Sequence, residues 1–263
     1  MMMSYLSLLG VLLLAGLSQS ETPNTRIVGG RDTTIENYPS LVQVEYFDPG
    51  SGFWHQDCAA NILTTYWILT AAQCNEYTRD EYTRIRAGAT YRETNGSVHY
   101  VDFSRNHPNY IHLYSYDADI GLMKLLTPLV YSPYIQKATI VNQGFVVPDN
   151  YPVVHAGWGD IYTHGPQSQV LQNVTVFTVN RQVCEWRWGH GLSSPITKNM
   201  ICAGVLEEGG RDACHGDNGG PMYIGDVIVG IISFRYKNCA DPFTPGISTS
   251  VASYSDWIVS NAR

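Results

Sequence analysis

The sequence predicts an all-β protein. Its hydrophobic content of 44% is ample for a folded core, and aromatic residues make up 12% of the chain, as is typical of β-rich proteins. Charged residues amount to only 15%, which argues against long exposed helices and against disorder. Short strand-like runs separated by Gly, Pro, Asn and Asp indicate a β-sandwich or β-barrel. With 263 residues, the chain has room for one large domain or two small ones.

Six segments carry the clearest strand patterns. Residues 41–46 alternate apolar and polar side chains, as a strand with one buried face does. The other five are short apolar runs bounded by turn residues, at 67–70, 120–125, 151–158, 170–179 and 227–234. Near the C-terminus, residues 254–259 place apolar side chains at positions i, i+3 and i+4, so we expect a short helix there.

The first 20 residues predict a secretory signal peptide. An apolar run at 6–17 is followed by small and polar residues that suit cleavage near Ser18 or Ser20. A membrane anchor is the alternative, but the run is short for a hydrocarbon core of about 30 Å. We therefore expect a secreted, extracellular protein. The net charge of -7 argues against nucleic acid and anionic membranes as partners.

Export would place the six cysteines in an oxidising compartment. Six cysteines allow about fifteen pairings, and the residues alone do not choose among them. The triplets that begin at Asn95 and Asn173 are acceptors for N-glycosylation in a secreted chain.

Three motifs resemble the active-site segments of the trypsin/chymotrypsin family of serine proteases. DACHGDNGGP at 212–221 resembles the nucleophile loop, and LTAAQC at 69–74 resembles the segment that carries the catalytic histidine. DADIGL at 117–122 resembles the segment with the orienting aspartate, which is Asp119 here.

The resemblance implies a degenerate catalytic triad. Asn218 stands where the family has its serine nucleophile, and a carboxamide cannot attack a peptide bond by that route. Gln73 stands where the family has its histidine base, and although it can donate a hydrogen bond to Asp119, it cannot shuttle a proton. Loss of either group costs on the order of 10⁶ in turnover in related enzymes. We therefore expect no functional catalytic residues.

The resemblance extends from Ile27 to the C-terminus. It implies two six-stranded Greek-key β-barrels with the active-site positions at their junction and a boundary within residues 127–149. It also selects one set of disulfides: Cys58–Cys74, Cys184–Cys202 and Cys214–Cys239.

The sequence RIVGG at 26–30 resembles the family's activation site, so residues 21–26 would be an activation peptide. Cleavage after Arg26 would free the α-amino group of Ile27, which in the family pairs with the aspartate before the nucleophile, here Asp217. Such a buried pair requires good geometry. A basic site without consequence is the alternative.

The substrate pocket of the family is also altered. Asp212 matches the carboxylate at the floor of a trypsin-like pocket, and Gly246 matches one wall glycine. Arg235 stands where the second wall glycine should be. It has two possible placements: it could fold onto Asp212 as a bidentate pair, or lie across the surface with its stem on Phe234.

Three further positions follow from the resemblance. Ser233 matches a serine that bonds to the orienting aspartate, and the N–H groups of Gly216 and Asn218 match the oxyanion hole. Ala89 falls where calcium-binding members carry a carboxylate, so we expect no metal and no cofactor. His215 is a poor candidate for a surrogate base, since it would still lack a nucleophile.

The leading functional hypothesis is a secreted, non-catalytic serine protease homologue of the insect trypsin-like type. It would act as a cofactor, scaffold or decoy in a proteolytic or immune pathway, with a protease, a protease substrate or an inhibitor as its partner. The aromatic segments EWRW at 185–188 and 110–116 are either binding hot spots or ordinary loop packing. A trypsin-like endopeptidase with non-standard catalytic residues is the alternative, and a carbohydrate-binding protein is a weaker third.

Overall fold

The computed structural model describes residues 27–111, 116–189 and 195–263. The expected signal peptide at 1–20 and the activation peptide at 21–26, with Arg26, lie outside the described residues. No helix within the described ranges is long and apolar enough to cross a bilayer.

The first barrel is built entirely from the N-terminal half of the described chain. A short strand, β1 (Arg31–Asp32), precedes it and pairs with the second barrel. Six antiparallel strands then close the first barrel: β2 (Leu41–Asp48), β3 (Phe53–Ile62), β4 (Trp67–Thr70), β5 (Thr83–Ala87), β6 (Ser97–Asn106) and β7 (Gly121–Leu125). Their order around the barrel is β2-β3-β4-β7-β6-β5.

The second barrel follows a connection that contains the short strand β8 (Thr139–Ile140). Its six strands are β9 (Pro152–Gly157), β10 (Gln172–Val179), β11 (Met200–Gly204), β12 (Pro221–Ile224), β13 (Val227–Phe234) and β14 (Gly246–Ser250). They close because β9 pairs with both β10 and β12. Two closed six-stranded barrels confirm the predicted fold class.

Two α-helices lie outside the barrel walls: α1 (Arg181–Trp188) and α2 (Ser255–Asn261). Helix α2 is the predicted C-terminal helix. Helix α1 begins after Asn180, whose side-chain oxygen accepts hydrogen bonds from two backbone N–H groups of the first turn. It was not predicted, because its segment was interpreted as a variable surface loop.

The barrel interiors follow from the alternation of side chains along the strands. In β10 every second residue is buried, beginning with Gln172, so one face of the strand lies inside the barrel. β5 alternates in the same way. The buried apolar faces therefore fix the positions of the strands. The polar segments that connect the strands then lie at the junction of the two barrels.

All six cysteines are paired, as Cys58–Cys74, Cys184–Cys202 and Cys214–Cys239. These are the pairs that the family resemblance implied. The first holds the segment of Gln73 against β3, and the third joins the segment before Asn218 to the one after Arg235.

Candidate functional site

A buried carboxylate, Asp119, organises the junction between the barrels. Its side chain is 0% exposed and accepts three hydrogen bonds: from Nε2 of Gln73 (2.6 Å), from the backbone N–H of Gln73 (2.9 Å) and from the hydroxyl of Ser233 (2.5 Å). Burial raises the pKa of Asp119, and the hydrogen bonds from Ser233 and Gln73 oppose that rise. All of these donors are neutral.

Gln73 connects this carboxylate to Asn218. Its Nε2 also donates to the backbone carbonyl of Ser233 (2.8 Å), and its Oε1 accepts from Nδ2 of Asn218 (3.3 Å). Oδ1 of Asn218 in turn accepts from Nη1 of Arg235 (3.4 Å). The four side chains therefore form one chain of hydrogen bonds, Arg235–Asn218–Gln73–Asp119. This chain of side chains contains no hydroxyl or thiol nucleophile, and no imidazole that could accept a proton from one.

The loop that carries Asn218 is fixed by polar side chains of the first barrel. Nε2 of Gln56 donates to the carbonyl of Gly216 (2.7 Å), and Nδ2 of Asn61 donates to the carbonyl of Gly219 (3.1 Å). Gly219 adopts φ +81°, and a Cβ there would lie 2.2 Å from Oγ1 of Thr70. The sequence analysis did not identify Gln56 or Asn61 as site residues.

Two backbone donors of this loop, the N–H groups of Gly216 and Asn218, make no hydrogen bond among the described residues. Gly216 has φ +93°, a conformation that a side chain rarely permits. The two N–H groups are therefore available to an oxygen placed in the cleft.

A second buried carboxylate, Asp217, lies next to Asn218 in sequence. It is 0% exposed and accepts from the backbone N–H groups of Gly159 (2.8 Å) and Cys214 (2.8 Å). Burial raises its pKa to about 6. Ile27 is also fully buried, and the carbonyl of Val28 accepts from the backbone N–H of Asp212 (3.2 Å), so the described N-terminus lies within the pocket-forming loops.

Asp212 is a third buried carboxylate, 4% exposed, and it accepts from the backbone N–H groups of Ala213 (2.8 Å) and Ala240 (3.5 Å). A Cβ at Gly246 would lie 3.1 Å from its Oδ2, so the glycine leaves this oxygen uncrowded. Burial raises the pKa of Asp212 to about 6, while the positive charge of Arg235 acts to lower it. Ser233, which the resemblance assigns to the substrate pocket and also to a bond with the orienting aspartate, donates to Asp119 as expected.

His155, in strand β9 of the second barrel, lies next to Asp212. Its Nδ1 lies 3.8 Å from Oδ1 of Asp212, and neither ring nitrogen has a hydrogen-bond partner among the described residues. Burial, with a contribution from Arg235, lowers its pKa to about 3, so the ring is neutral. The sequence analysis missed His155, although it occupies an inward position of a predicted strand.

Arg235 does not adopt the first of the two placements expected from the sequence, because no ion pair within 4.0 Å joins it to Asp212. Phe234 packs against the rings of Tyr116 and Trp188. Instead the guanidinium reaches Asn218, and Nε is buried without a hydrogen-bond partner. The difference arises because the carboxamide of Asn218 lies within reach of the arginine.

An open cleft of about 890 Å³ lies on the other side of Asn218. Three of its lining residues are the carboxylates Asp48, Asp57 and Asp160. His215 bonds to Asp160 through Nδ1 (3.2 Å), and its ring stacks on His164 at 5.5 Å between centroids. This part of the cleft therefore has acidic and aromatic character.

The remaining sequence-predicted residues are dispersed over the surface. In helix α1, Trp186 is 77% exposed, whereas Trp188 is buried against Phe234 and bonds to the carbonyl of Pro245. Asn95 is exposed, but Asn173 is half-buried in β10 and its Nδ2 donates to the hydroxyl of Tyr38 (2.7 Å).

Potential metal ligands come close together at one place in the described ranges. The grouping with suitable spacing there is Cys214, His215 and Cys239, whose two sulfurs are joined in a disulfide and offer no thiolate. Ala89 is buried. The ring of His107 packs on Tyr254 and Trp257, while His112 lies outside the described residues.

Comparison with known proteins gives a consistent result. The family profile described as Trypsin matches residues 27–258. The chain is 39% identical to "Trypsin, alkaline B" of Manduca sexta over 90% of this chain and 91% of that protein. It is 36% identical to "Trypsin" of Phaedon cochleariae over 96% and 95%, and 35% identical to "Hypodermin-B" of Hypoderma lineatum over 90% and 88%.

Proposed function

This chain belongs to the trypsin family, and we propose that it is a secreted member that acts by binding other proteins rather than by hydrolysing them. One observation carries the proposal: the side chain that bonds to Asp119 and the next one in the hydrogen-bond chain are the amides Gln73 and Asn218, which the family resemblance aligns with the histidine base and the serine nucleophile. Residues 1–20 are proposed as its signal peptide, 21–26 as its activation peptide and 27–263 as the folded domain.

The chemistry of these side chains supports the proposal. Hydrolysis by a serine protease needs an oxygen that attacks the carbonyl and an imidazole that takes and returns its proton. A glutamine amide has no titration near neutral pH, and an asparagine carboxamide is not a competent nucleophile. Nε2 of Gln73 donates its two hydrogens to Asp119 and to the carbonyl of Ser233, so Gln73 links these two groups structurally.

A cleavage-dependent switch fits the same proposal. Cleavage after Arg26 would give Ile27 an ammonium group close to the buried carboxylate of Asp217, which has only backbone N–H donors among its hydrogen bonds here. Pairing would hold the loops of Asp212 and Asn218 in place. Binding of a partner would then depend on prior cleavage by another protease.

The partner is proposed to be a protein: a protease, a protease substrate or an inhibitor. The cleft beside Asn218 presents Asp48, Asp57 and Asp160, and the free N–H groups of Gly216 and Asn218 can hold a peptide carbonyl. An extended peptide with basic residues suits these groups.

The alternative is a trypsin-like endopeptidase with non-standard catalytic residues. The comparisons favour this alternative, since the relatives from Manduca sexta, Phaedon cochleariae and Choristoneura fumiferana, at 34–39% identity, are named as trypsins. The side chains around Asp119 favour binding instead, because Gln73 and Asn218 are amides. The names of the relatives say nothing about the residues at these two positions of this chain.

The deciding experiment measures peptide hydrolysis by the cleaved protein. The chain would be cleaved after Arg26, the cleaving protease removed, and hydrolysis followed with a set of peptide reporters that varies the residue before the scissile bond. An inhibitor that reacts with active-site serines provides an internal control for the wild type, because any wild-type activity that it blocks comes from a contaminating protease. The double variant Gln73→His with Asn218→Ser is measured beside the wild type, with Asn218→Ala as the matched inactive control.

We expect no turnover from the wild type and measurable turnover from the double variant. Inhibitor-resistant hydrolysis by the wild type would overturn the binding proposal and support the endopeptidase. Hydrolysis by the double variant would also show that the rest of the cleft still orients a peptide.

A further inference from the structure

Four aromatic side chains lie side by side on the first barrel. Phe47 of β2 and Trp54 of β3 are cross-strand partners, and their ring centroids lie 5.4 Å apart. Trp54 meets Tyr100 of β6 edge to face at 5.8 Å, and Phe47 stacks on Tyr82 at 6.0 Å. The four rings therefore form one contiguous surface, the aromatic platform.

The aromatic platform faces solvent. Tyr100 is 45% exposed while its neighbours His99 and Val101 are buried, so the alternation along β6 directs Tyr100 out of the barrel. Tyr82 is exposed as well, and so is Phe53 at the start of β3. A contiguous group of exposed rings marks a binding surface rather than part of the core.

The arginine on the platform is held in an ion pair. The guanidinium of Arg84 lies 4.1 Å from the ring centroid of Trp54. Its Nε donates to Oε2 of Glu45 at 2.6 Å, and Glu45, which is fully buried, also pairs with Arg86. The rings are therefore fixed beside a paired arginine, and the attraction of this surface for a charged ligand is small.

A cavity with polar walls adjoins the aromatic platform. It has a volume of about 680 Å³, within the range of small-ligand sites, and Tyr100 is one of its lining residues. The polar side chains of its walls include Thr78, Arg79, Asp80, Glu81 and Asp102. One ligand can therefore contact the rings and these polar groups at the same time.

The carboxylates of the cavity already have partners. Nη1 of Arg79 lies 3.4 Å from Oε1 of Glu81, and Nζ of Lys124 lies 3.9 Å from Oδ2 of Asp102. Oδ2 of Asp80 accepts from a backbone N–H at 3.2 Å. The walls thus offer oxygen acceptors for hydrogen bonds, whereas a basic protein surface would gain little from them.

A neutral sugar suits both surfaces. In a pyranose whose hydroxyl groups are equatorial, the C–H bonds project from both faces of the ring and carry a partial positive charge. That charge is attracted to the negative face of an aromatic ring. The hydroxyl groups donate to carboxylates and exchange hydrogen bonds with Thr78 without bringing a charge into the cavity.

We propose that the aromatic platform and this cavity together bind a neutral glycan chain of pyranoses with equatorial hydroxyl groups, of the glucose or N-acetylglucosamine type. Tyr100 stacks on a sugar ring, and Thr78 and Asp102 accept hydrogen bonds from hydroxyl groups of the chain. Thr78 also lines the cleft beside Asn218, so the two sites are neighbours. The inference goes beyond the proposed function, because it requires neither cleavage after Arg26 nor a protein partner.

The test measures binding of two uncharged oligosaccharides, cellohexaose and chitohexaose, to the full, uncleaved chain by calorimetry. We expect saturable binding of at least one of them, unchanged within about 2-fold between about 0.1 and 1 M salt, because the ligand carries no charge. Mannohexaose with the same linkage has an axial hydroxyl group on each ring, which interrupts one C–H face. It should bind at least about 5-fold more weakly.

Variants of Tyr100 show whether stacking is responsible. Tyr100→Ala and Tyr100→Leu should each weaken binding about 10-fold, whereas Tyr100→Phe keeps the ring and should stay within about 2-fold of the wild type. Asp102→Ala tests the cavity and should weaken binding about 5-fold. Tyr151, just before β9 of the second barrel, is exposed to a similar extent, so Tyr151→Ala is the matched control and should bind as the wild type does.

The inference is overturned if neither hexasaccharide binds the folded wild type, or if Tyr100→Leu binds as tightly as the wild type. Equal affinity for mannohexaose would also overturn it, since ring faces would then not be read. Heparin binding that disappears at about 1 M salt, without binding of either hexasaccharide, would assign the surface to anionic ligands through Arg84. Leucine preserves the apolar bulk at position 100, so this variant serves if the alanine variant does not fold. No hydrolysis and no protein partner enter the measurement, so a failure here is distinct from a failure of the binding proposal.

Discussion

Two buried carboxylates, Asp119 and Asp217, are equally enclosed but differ in their donors. Both are 0% exposed, and burial raises the pKa of each. Asp119 receives hydrogen bonds from the side chains of Gln73 and Ser233 as well as from backbone N–H groups. Asp217 receives only backbone N–H groups, from Gly159 and Cys214, among the described hydrogen bonds.

The difference shows which carboxylate can change its state. Asp119 is surrounded by neutral donors on both oxygens, so it acts as a fixed anchor for the segments of Gln73 and Ser233. Asp217 has two backbone donors, so both of its oxygens retain acceptor capacity. Asp119 therefore has donors from side chains and backbone, whereas Asp217 can still accept a further donor.

Removal of each carboxylate gives the largest expected effect. Asp119→Ala leaves two side-chain donors and the backbone N–H of Gln73 without their acceptor, so the free energy of unfolding should fall by about 3 kcal/mol. Asp217→Ala in the uncleaved chain loses two backbone partners but also relieves the cost of burying the charge, so about 1 kcal/mol is expected. Urea denaturation measures both, and equal losses would break the comparison.

Cleavage after Arg26 should change how stability depends on pH. In the uncleaved chain, the pKa of Asp217 is raised to about 6, so the folded state loses stability from this group as pH rises from about 4 to about 6. An ammonium at Ile27 would lower that pKa and remove the loss. The difference in free energy of unfolding, cleaved minus uncleaved, should therefore grow with pH up to about 6.

The same difference should shrink at high pH. A paired α-amino group has a folded-state pKa above its ordinary value of about 7.7–8.0, and its contribution is lost as pH rises through that folded-state value. Denaturation of both forms between pH 4 and 10 measures the profile. Contributions from Asp212 and His155 are shared by the two forms and cancel to first order. A flat difference would show that Asp217 receives no cation.

Ser233→Ala tests the anchoring of Asp119 on a smaller scale. The hydroxyl donates to the carboxylate at 2.5 Å, so its loss should cost about 1.5 kcal/mol. Because this bond lowers the pKa of Asp119, removing it raises the folded-state value further, and the loss should be greater at pH 8 than at pH 5. Thr249→Val is the matched control, since its hydroxyl donates to the backbone carbonyl of Asp119 and should show no such pH dependence.

Asn218→Ala should have the smallest effect. Its side chain bonds to Gln73 at 3.3 Å and to Arg235 at 3.4 Å, also interacts with Tyr77, and is partly exposed, so a change within about 0.5 kcal/mol is expected. Asn61→Ala is the contrasting variant, because its amide is fully buried and bonds to the carbonyl of Gly219. A large loss for Asn218→Ala would mean that the two carboxylates are coupled through this residue.

The predicted parts of the fold are those whose signal is local. β10 alternates because alternate faces are buried, and that pattern can be read without a structure. β2 also alternates in sequence, but the expectation of one buried face at 41–46 is wrong, because all six residues are buried, including Gln43 and Glu45. β3 has no such pattern. It buries the polar residues Gln56 and Asn61, whose amides bond to carbonyls about 160 positions away in the chain. Partners at that distance leave no mark in a local window.

The candidate site shows the same division. The contact between Gln73 and Asp119 was anticipated from the chemistry of an amide facing a carboxylate. The placement of Arg235 was not anticipated, because it depends on where the carboxamide of Asn218 lies. The contact between His155 and Asp212 was not anticipated either. Helix α1 was missed although Asn180 is its N-cap, because residues 185–188 were interpreted as part of a variable surface loop.

The disulfide Cys214–Cys239 closes a covalent ring that spans 25 positions of the chain. Asn218, Ser233 and Arg235 all belong to that ring, whereas Asp119 and Gln73 lie in the first barrel. The ring is therefore a natural unit for transplantation. Exchanged as one piece with the corresponding ring of a relative that is named as a trypsin, it would replace positions 218, 233 and 235 together. The protein that receives the ring would keep its own residues at positions 73 and 119.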